Sequence, residues 1–256
     1  MIASLGMYDA GPARAANDRF WVAIRDRLRA RNLPAPEALT RGEGAFWPAW
    51  ESPDLVLSQT CGYPFRARLQ GRVTLVGTPD HGLPGCPPGH YRSVFVARKD
   101  DLRGLKELAA TRFAWNEDLS QSGWAGPVSH LLGLGLTPHP CLRSGAHRLS
   151  ALAVAEGRAD LAGLDAVTWA MMQADGDPAA PALRVVAETA PAPALPYIAA
   201  KGADREGLFA TLAQAIAALT PEDRARLLLH GLVEIPAAAY LAVPTPPPPA
   251  HFGAVC

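Results

Sequence analysis

Apolar residues recur along this chain at two different spacings. Phe20, Trp21, Ile24 and Leu28 lie three or four positions apart within residues 13–31, which predicts an amphipathic helix. Short apolar runs between Gly, Pro and polar clusters predict strands at 2–7, 54–57, 72–77, 91–98, 112–115, 141–142, 161–164, 183–188 and 195–199. Further helices are predicted at 101–109, 122–136, 146–158, 166–173, 205–219 and 221–232. Strands that alternate with helices predict an α/β fold, with parallel sheets flanked by helices.

The balance of acidic and basic residues limits the kinds of molecule that this protein is expected to bind. The 256 residues include 24 basic and 24 acidic side chains, so the formal net charge is zero. This balance argues against a protein that binds nucleic acid by neutralising its phosphates. Hydrophobic residues make up 49% of the chain, which is enough for a packed core and excludes a disordered protein.

Cysteines and histidines form no recognisable metal motif. No two cysteines have C-x-x-C spacing, and His81, His90 and His139 are scattered in Pro- and Gly-rich loops. We therefore predict no metal site and no cofactor. The sequence allows either free thiols or a disulfide between Cys61 and Cys86.

The first residues of the chain indicate the cellular compartment in which the protein is expected. Residues 1–9 carry no basic residue and only a short apolar run, so they do not predict a secretory signal peptide. No window reaches the roughly 18 apolar residues of a membrane helix, so direct membrane insertion is not expected. The chain as written is expected in the cytoplasm, and in the periplasm if the true start lies upstream.

Two loops share one local design, in which a strand leads through a hydroxyl-rich turn into a helix. The first contains Asn116, Ser120, Gln121, Ser122 and Gly123, and the second contains Ser144, Gly145, Ala146 and His147. A helix start has unpaired N–H groups and about half a positive charge, so it attracts anions. The alternative is plain N-capping, which Ser and Asn provide in many helices. Ligands of open α/β sheets bind where strands end, which favours a shared anion site.

The order and spacing of several segments resemble the phosphate/phosphonate substrate-binding proteins of ABC transporters. The segments are YRSVFV at 91–96, SQSG at 120–123, SGAH at 144–147 and ALAVAEGRADLAGLD at 151–165. In that family S-x-S-G opens one helix, G-S-H opens the next, and V-A-x-G-x-A-D leads into a strand that ends in Asp. Here Ala146 replaces the serine before the histidine, so one hydroxyl donor of the pattern is missing.

The resemblance implies the two-lobed fold of type II periplasmic binding proteins, each lobe a mainly parallel sheet flanked by helices. It places residues 1–91 and 192–256 in lobe 1 and residues 92–191 in lobe 2, with hinges near 91–93 and 188–193. The implied ligand cleft lies between the lobes. Lobe 2 would contribute Asn116, Ser120, Gln121, Ser122, Gly123, Ser144, Gly145, His147 and Asp165, and lobe 1 would contribute Tyr8, Gln59, Thr60, Cys61 and Tyr63.

Several of these residues have a second interpretation. His147 can simply pack at a helix start, and Asp165 can cap the helix that follows it. Trp124 and Trp169 fit either the floor of the cleft or the core. Cys61 has the chemistry of a nucleophile, but its own loop supplies no base.

These features predict a solute-binding protein without catalytic activity. It would capture a small anionic or zwitterionic molecule, phosphate- or phosphonate-like, for the membrane component of an ABC transporter, with no nucleic-acid partner. The alternative is a cytoplasmic enzyme or ligand sensor on the same fold, of the thiamine-pyrimidine or menaquinone pathway type. A titratable pair within hydrogen-bond reach, such as His147 with Cys61 or Asp165, would favour the enzyme.

Overall fold

The computed structural model describes residues 1–253. Within them the strands are β1 (Ile2–Ser4), β2 (Leu55–Gln59), β3 (Val73–Asp80), β4 (His90–Tyr91), β5 (Ser93–Arg98), β6 (Arg112–Trp115), β7 (His139–Arg143), β8 (Leu161–Asp165), β9 (Leu183–Glu188), β10 (Ala192–Pro193), β11 (Tyr197–Ala200) and β12 (Gly231–Val233). The helices are α1 (Ala13–Ala30), α2 (Trp47–Trp50), α3 (Gly62–Pro64), α4 (Leu105–Leu108), α5 (Gly126–Gly133), α6 (His147–Ala155), α7 (Ala166–Ala174), α8 (Arg205–Ala217), α9 (Pro221–Leu227) and α10 (Ala237–Leu241).

The first compact unit comprises residues Met1–His90 and Pro193–Leu241. Its five-stranded sheet has the order β1-β2-β11-β3-β12. β1 runs parallel to β2, whereas β11 is antiparallel to both β2 and β3, and β12 is antiparallel to β3. The sheet is therefore mixed rather than mainly parallel as predicted, because β11 and β12 run antiparallel to their neighbours. The carboxyl ends of β1, β2 and β3 meet at the same edge as the start of β11.

Helix α1 shows how the apolar pattern builds this unit. It follows the turn Gly11-Pro12 and ends before Asn32, whose φ of 58° is left-handed and stops the helix. Phe20, Trp21, Ile24 and Leu28 are at most 1% exposed in one hydrophobic cluster with β-strand and α8 residues. Burial of each such side chain contributes about 1.5–3 kcal/mol.

The second compact unit comprises residues Tyr91–Ala192 and, of the described C-terminal residues, 242–253. Its sheet has the order β7-β6-β8-β5-β9. β6 is parallel to β7 and β8, whereas β5 is antiparallel to β8 and β9. The carboxyl ends of β6, β7 and β8 therefore lie at one edge, together with the start of β5, where Ser93 pairs with Asp165.

The C-terminal tail departs from the predicted lobe boundaries. The prediction placed residues 192–256 in lobe 1, but residues 242–253 pack with the second unit. Trp124 Nε1 donates a hydrogen bond to the Pro247 carbonyl at 3.1 Å, and the Trp124 and Phe252 rings meet edge to face at 5.9 Å. Trp124 is fully buried, so the tail covers a large apolar side chain.

Three predicted helices differ from the structure. The helix predicted over 101–109 covers only Leu105–Leu108. The helix predicted over 221–232 ends at Leu227, because Leu228 has a left-handed φ of 46°, and residues 231–233 form β12 instead. The helix predicted over 122–136 divides into a π-helical turn, Gln121–Ala125, and α5. In the described part of the chain, no helix has both the length and the apolar character needed to cross a membrane.

Candidate functional site

The second unit brings its two predicted ligand loops into direct contact. The loop after β6 and the loop after β7 are joined by backbone hydrogen bonds, from Ser144 N to Trp115 O at 2.8 Å and from Gly145 N to Asn116 O at 3.0 Å. Parallel pairing of β6 with β7 places both loops at the same sheet edge. The two helix starts are thus neighbours, as an anion site built from both requires.

Ser122 and His147 form the central polar pair of these loops. Ser122 Oγ lies 3.0 Å from His147 Nε2, and Ser122 is 2% exposed. Burial lowers the pKa of His147 to about 4, although a backbone hydrogen bond with Gly163 acts in the opposite direction. The imidazole is therefore neutral near pH 7, and the pair carries no net charge.

Asn116 and Gly123 approach each other closely beside that pair. A Cβ atom on Gly123 would lie 1.8 Å from Asn116 Oδ1 and 3.2 Å from His147 Cε1, so only glycine fits here. Asn116 Oδ1 is buried without a hydrogen-bond partner. Rotation of the amide by a half turn exchanges Oδ1 with Nδ2, which allows this side chain to donate to an anion.

The remaining predicted residues of these loops serve mainly to hold them in place. Ser120 Oγ accepts a hydrogen bond from Gly123 N at 2.9 Å and so caps the helical turn. Ser144 Oγ lies 2.6 Å from Ser150 Oγ and also contacts the carbonyls of Trp115 and Ala146. The Ser144 hydroxyl is thus engaged within its own loop and does not replace the hydroxyl missing at Ala146.

Gln121 and Gly145 complete these loops. Gln121 is buried in the π-helical turn. Gly145 has a left-handed φ of 88°, a conformation that favours glycine, with open space around its Cα.

Asp165, at the end of β8, acts as the N-cap of α7. Its Oδ1 accepts hydrogen bonds from Val167 N at 2.7 Å and Thr168 N at 3.1 Å, and the residue is 1% exposed. This carboxylate therefore satisfies two helix N–H groups that would otherwise be unpaired. The interpretation as a cap has direct geometric support.

The capping role of Asp165 predicts a specific pattern of stabilities. Asp165→Ala is expected to lower the free energy of unfolding by about 1 kcal/mol, whereas Asp165→Asn should retain most of it, because Asn caps as well as Asp. Urea unfolding of both variants measures this difference. Equal loss in the two variants would show that the negative charge, rather than the cap, is what the fold needs.

In the first unit, Tyr8 and Gln59 lie together at the carboxyl edge of the sheet. They border a small cavity of about 20 Å³, which we call the His81 recess. Its lining residues are Leu5, Tyr8, Asn17, Phe20, Gln59, His81, Tyr197, Leu227 and Leu229. Gln59 Nε2 donates to Leu195 O at 3.1 Å, and the Tyr8 and His81 rings meet edge to face at 5.3 Å.

His81, Asn17 and Tyr197 were not predicted as site residues. His81 directly follows β3, which reaches Asp80 rather than the predicted residue 77. Tyr8 and Gln59 were predicted from the family resemblance. The argument that ligands bind where strands end also applies to His81 once the end of β3 is known. The extent of β3 is the signal that was missing.

The other predicted residues of the first unit lie near Gln59 in the chain but do not line the recess. Thr60 Oγ1 is buried without a hydrogen-bond partner, so it is available to a ligand. Cys61 and Cys86 carry thiols rather than a shared disulfide, and Cys61 is buried. The Arg66 guanidinium lies 4.4 Å from the centroid of the Tyr63 ring and covers it.

Charged groups around the second-unit loops are largely neutralised. Arg143, at the end of β7, forms ion pairs with Glu117 and Asp118. Among the residues that the structure describes, no cluster of three or more His, Cys, Asp or Glu side chains has the arrangement of a metal site. Hydroxyls, amides and helix N–H groups are thus the groups that these loops offer to an anion.

The sequence profile of the phosphonate ABC transporter periplasmic substrate-binding proteins matches residues 52–238. The chain belongs to this family. This phosphonate-family protein is therefore a solute-binding component of an ABC transporter, as the sequence predicted. None of the curated proteins matches it significantly in sequence.

Several solved structures superpose on this chain over most of its length. PhnD1 from Prochlorococcus marinus, in complex with methylphosphonate, superposes with a TM-score of 0.71 at 18% identity, over 93% of this chain and 94% of that one. A Xanthomonas citri protein bound to ATP gives 0.69 at 16% identity, over 94% and 97%. A binding protein of an ABC phosphonate transporter from Pseudomonas aeruginosa gives 0.66 at 15% identity, over 91% and 80%. The predicted type II periplasmic binding protein fold is confirmed.

Proposed function

We propose that this phosphonate-family protein binds a small phosphonate through Asn116, Ser122 and His147 and delivers it chemically unchanged to the membrane component of its transporter. The observation that carries the proposal is the contact of buried Ser122 with half-buried His147 at 3.0 Å, beside the unpartnered amide oxygen of Asn116. Family membership and the methylphosphonate bound to PhnD1 support a phosphonate as the ligand.

The chemistry of the pair suits an oxyanion. A serine hydroxyl has one proton and two lone pairs, so Ser122 can donate to a phosphonate oxygen when the neutral ring of His147 carries its proton on Nε2. In that tautomer His147 donates to the Ser122 hydroxyl, which polarises it and strengthens its bond to the anion. Because the donors are neutral, the anion supplies the only full charge, and the adjoining helix starts stabilise it.

Replacement of Ser122 tests this site directly. Ser122→Ala is expected to weaken methylphosphonate binding by about tenfold to a hundredfold, because it removes a hydrogen bond to a charged group. Isothermal titration calorimetry measures the affinity. Ser129→Ala is the matched control, since Ser129 lies in α5 and its buried hydroxyl has no partner.

Two results would contradict the proposal. Equal methylphosphonate affinity in Ser122→Ala and Ser129→Ala would remove Ser122 from the site. Loss of the phosphonate signal in ³¹P NMR on incubation with the protein would show that the ligand is consumed rather than carried. The predicted hinges near residues 91–93 and 188–193 stay a prediction.

A further inference from the structure

The first unit contains another cavity, at the edge of its sheet opposite the carboxyl ends of β1, β2 and β3. The cavity has a volume of about 270 Å³ and lies where β3 begins and β11 ends. Arg72 directly precedes β3, Lys201 directly follows β11, and both line the cavity. We call it the Arg72 cavity. Neither cation belongs to the candidate phosphonate site or to the His81 recess, so the proposed function gives them no role.

Strand pairing places these two cations opposite each other. Val73 pairs with Ala200 in the antiparallel ladder, so the next positions outward, Arg72 and Lys201, lie opposite each other at its end. Like charges in opposite positions of an antiparallel pair are destabilising. Within residues 1–253 neither cation forms an ion pair that would relieve this repulsion. An anion bound between them would relieve it.

Both cations project from turns that hydrogen bonds hold in place. Arg72 N donates to Leu69 O at 2.9 Å. Beyond Lys201, Gly202 N donates to Thr74 Oγ1 at 3.1 Å. The two side chains therefore start from ordered backbone, which reduces the entropy lost when they are placed around a ligand.

The other polar groups on the cavity wall are compatible with an anion. Glu51 accepts two hydrogen bonds of 2.6 Å from Arg68, which neutralises its charge. The Arg68 guanidinium also lies 4.5 Å from the centroid of the Trp47 ring, which holds it in that position. Ser52 Oγ accepts from Asp54 N at 3.1 Å, and its hydroxyl proton has no acceptor among residues 1–253. Ser52 is thus a third donor beside the two cations.

Apolar groups and the volume of the cavity define the rest of the ligand. Trp50, Pro53 and Leu69 line the cavity, and Trp50 Nε1 donates to Ser58 Oγ at 3.1 Å, so this side chain offers ring atoms rather than its donor. At about 30 Å³ for each water-sized group, the cavity accommodates about nine non-hydrogen atoms. The planar fork of the Arg72 guanidinium matches a carboxylate, which is planar as well.

We propose that the Arg72 cavity binds a small organic acid of about nine non-hydrogen atoms. Its carboxylate lies between Arg72 and Lys201, and its apolar body packs against Trp50 and Leu69. This is a second ligand site, and it does not depend on the proposed phosphonate site. Because the bound carboxylate neutralises two opposed cations at the end of a strand pair, the acid also stabilises the folded chain.

Calorimetry at low ionic strength with benzoate, benzamide and inorganic phosphate tests this proposal. Benzoate is expected to bind at least about tenfold more tightly than benzamide, which has the same size without the charge, and more tightly than phosphate, which lacks an apolar body. Combining Arg72→Gln with Lys201→Gln should bring the affinities for benzoate and benzamide to a ratio of about one. Lys99→Gln combined with Lys106→Gln is the matched control, because it removes the same charge from exposed residues of the second unit and should keep the preference.

Three results would overturn the proposal. They are equal affinities for benzoate and benzamide in the wild type, a preference for benzoate that persists without Arg72 and Lys201, and phosphate binding as tight as that of benzoate. The phosphonate site is tested separately. Benzoate affinity should be unchanged in Ser122→Ala, and its loss there would place benzoate in the phosphonate site and overturn the proposal too. Failure of methylphosphonate to bind would overturn the proposed function alone.

A second measurement needs no variant of the cavity. The chain contains three lysines, Lys99, Lys106 and Lys201, so ¹³C-lysine labelling gives a spectrum with few side-chain signals. Lys99→Gln and Lys106→Gln assign two of these signals and leave the third for Lys201. Millimolar benzoate should move the Lys201 signal alone, and benzamide should move none. A Lys201 signal that stays in place in benzoate would overturn the proposal, even if the variant without Arg72 and Lys201 fails to fold.

Discussion

Gly123→Ala is expected to reduce the affinity for methylphosphonate by at least about tenfold. The new Cβ would lie 1.8 Å from Asn116 Oδ1, 2.9 Å from Asn116 Cγ and 3.2 Å from His147 Cε1. No real Cβ tolerates the first of these distances, so the Asn116 side chain must rotate away and His147 must shift. Both residues belong to the proposed phosphonate site, and overpacking of this kind also lowers the free energy of unfolding by about 1–3 kcal/mol. Calorimetry and urea unfolding measure the two effects.

Gly133→Ala provides the matched control for this variant. A Cβ atom on Gly133, at the end of α5, would meet nothing within 4 Å. This substitution is expected to leave methylphosphonate binding unchanged and to stabilise the fold slightly, by about 0.4–1 kcal/mol, because alanine restricts the unfolded chain. Full methylphosphonate affinity in Gly123→Ala would show that Asn116 and His147 do not contact the ligand.

Local patterns were sufficient to predict most of the secondary structure. The apolar runs at 112–115 and 183–188 coincide with β6 and β9, and the stripe from Phe20 to Leu28 identified α1. The helix follows from the three- and four-residue spacing of its buried residues, and the strands follow from short apolar runs. Because the helices and strands alternate in chain order, the α/β class followed from the same pattern.

Strand pairing between distant segments could not be predicted from local sequence patterns. β12 pairs with the end of β3, where Leu232 lies opposite Pro79 and Val233 opposite Thr78. The prediction extended an amphipathic helix through residues 221–232. Without β12, β3 was ended three residues early, and His81 was therefore assigned to a loop. Because the pairing of β3 with β12 was not predicted, His81 was not recognised as a residue at the end of a strand.

The candidate site of the second unit was predicted in its location but not in its hydrogen bonds. Strand ends followed by helix starts identified Ser122, Ser144 and His147 from the sequence. Their individual roles depend on rotamers and partners: Ser122 faces His147, whereas Ser144 faces Ser150. Spacing cannot distinguish a serine that faces a ligand from one that faces its own helix, since both positions favour a small polar residue.

The stability of this protein is expected to fall as the pH drops from about 6.5 to about 4, with His81 contributing about 3 kcal/mol of the loss. Burial lowers the pKa of His81 from 6.5 to about 4 in the folded state. Between these values the unfolded chain binds a proton at this residue and the folded protein does not, so acid favours unfolding. His147, whose pKa is also lowered to about 4, acts in the same direction. Urea unfolding at several pH values measures the free energy across this window.

The pH range from about 6.5 to about 4 separates the stability lost through the histidines from the stability lost through the carboxylates. Arg112 lowers the pKa of Asp160, so the contribution of that carboxylate is lost only at more acidic pH, below about 4. His81→Gln removes the titrating group while its amide retains a donor for Leu228 O, so this variant should show a shallower loss between pH 6.5 and 4. His251→Gln, which changes an exposed ring, should match the wild type. If His81→Gln and the wild type lose the same free energy over this range, His81 is not a neutral buried ring in the folded protein.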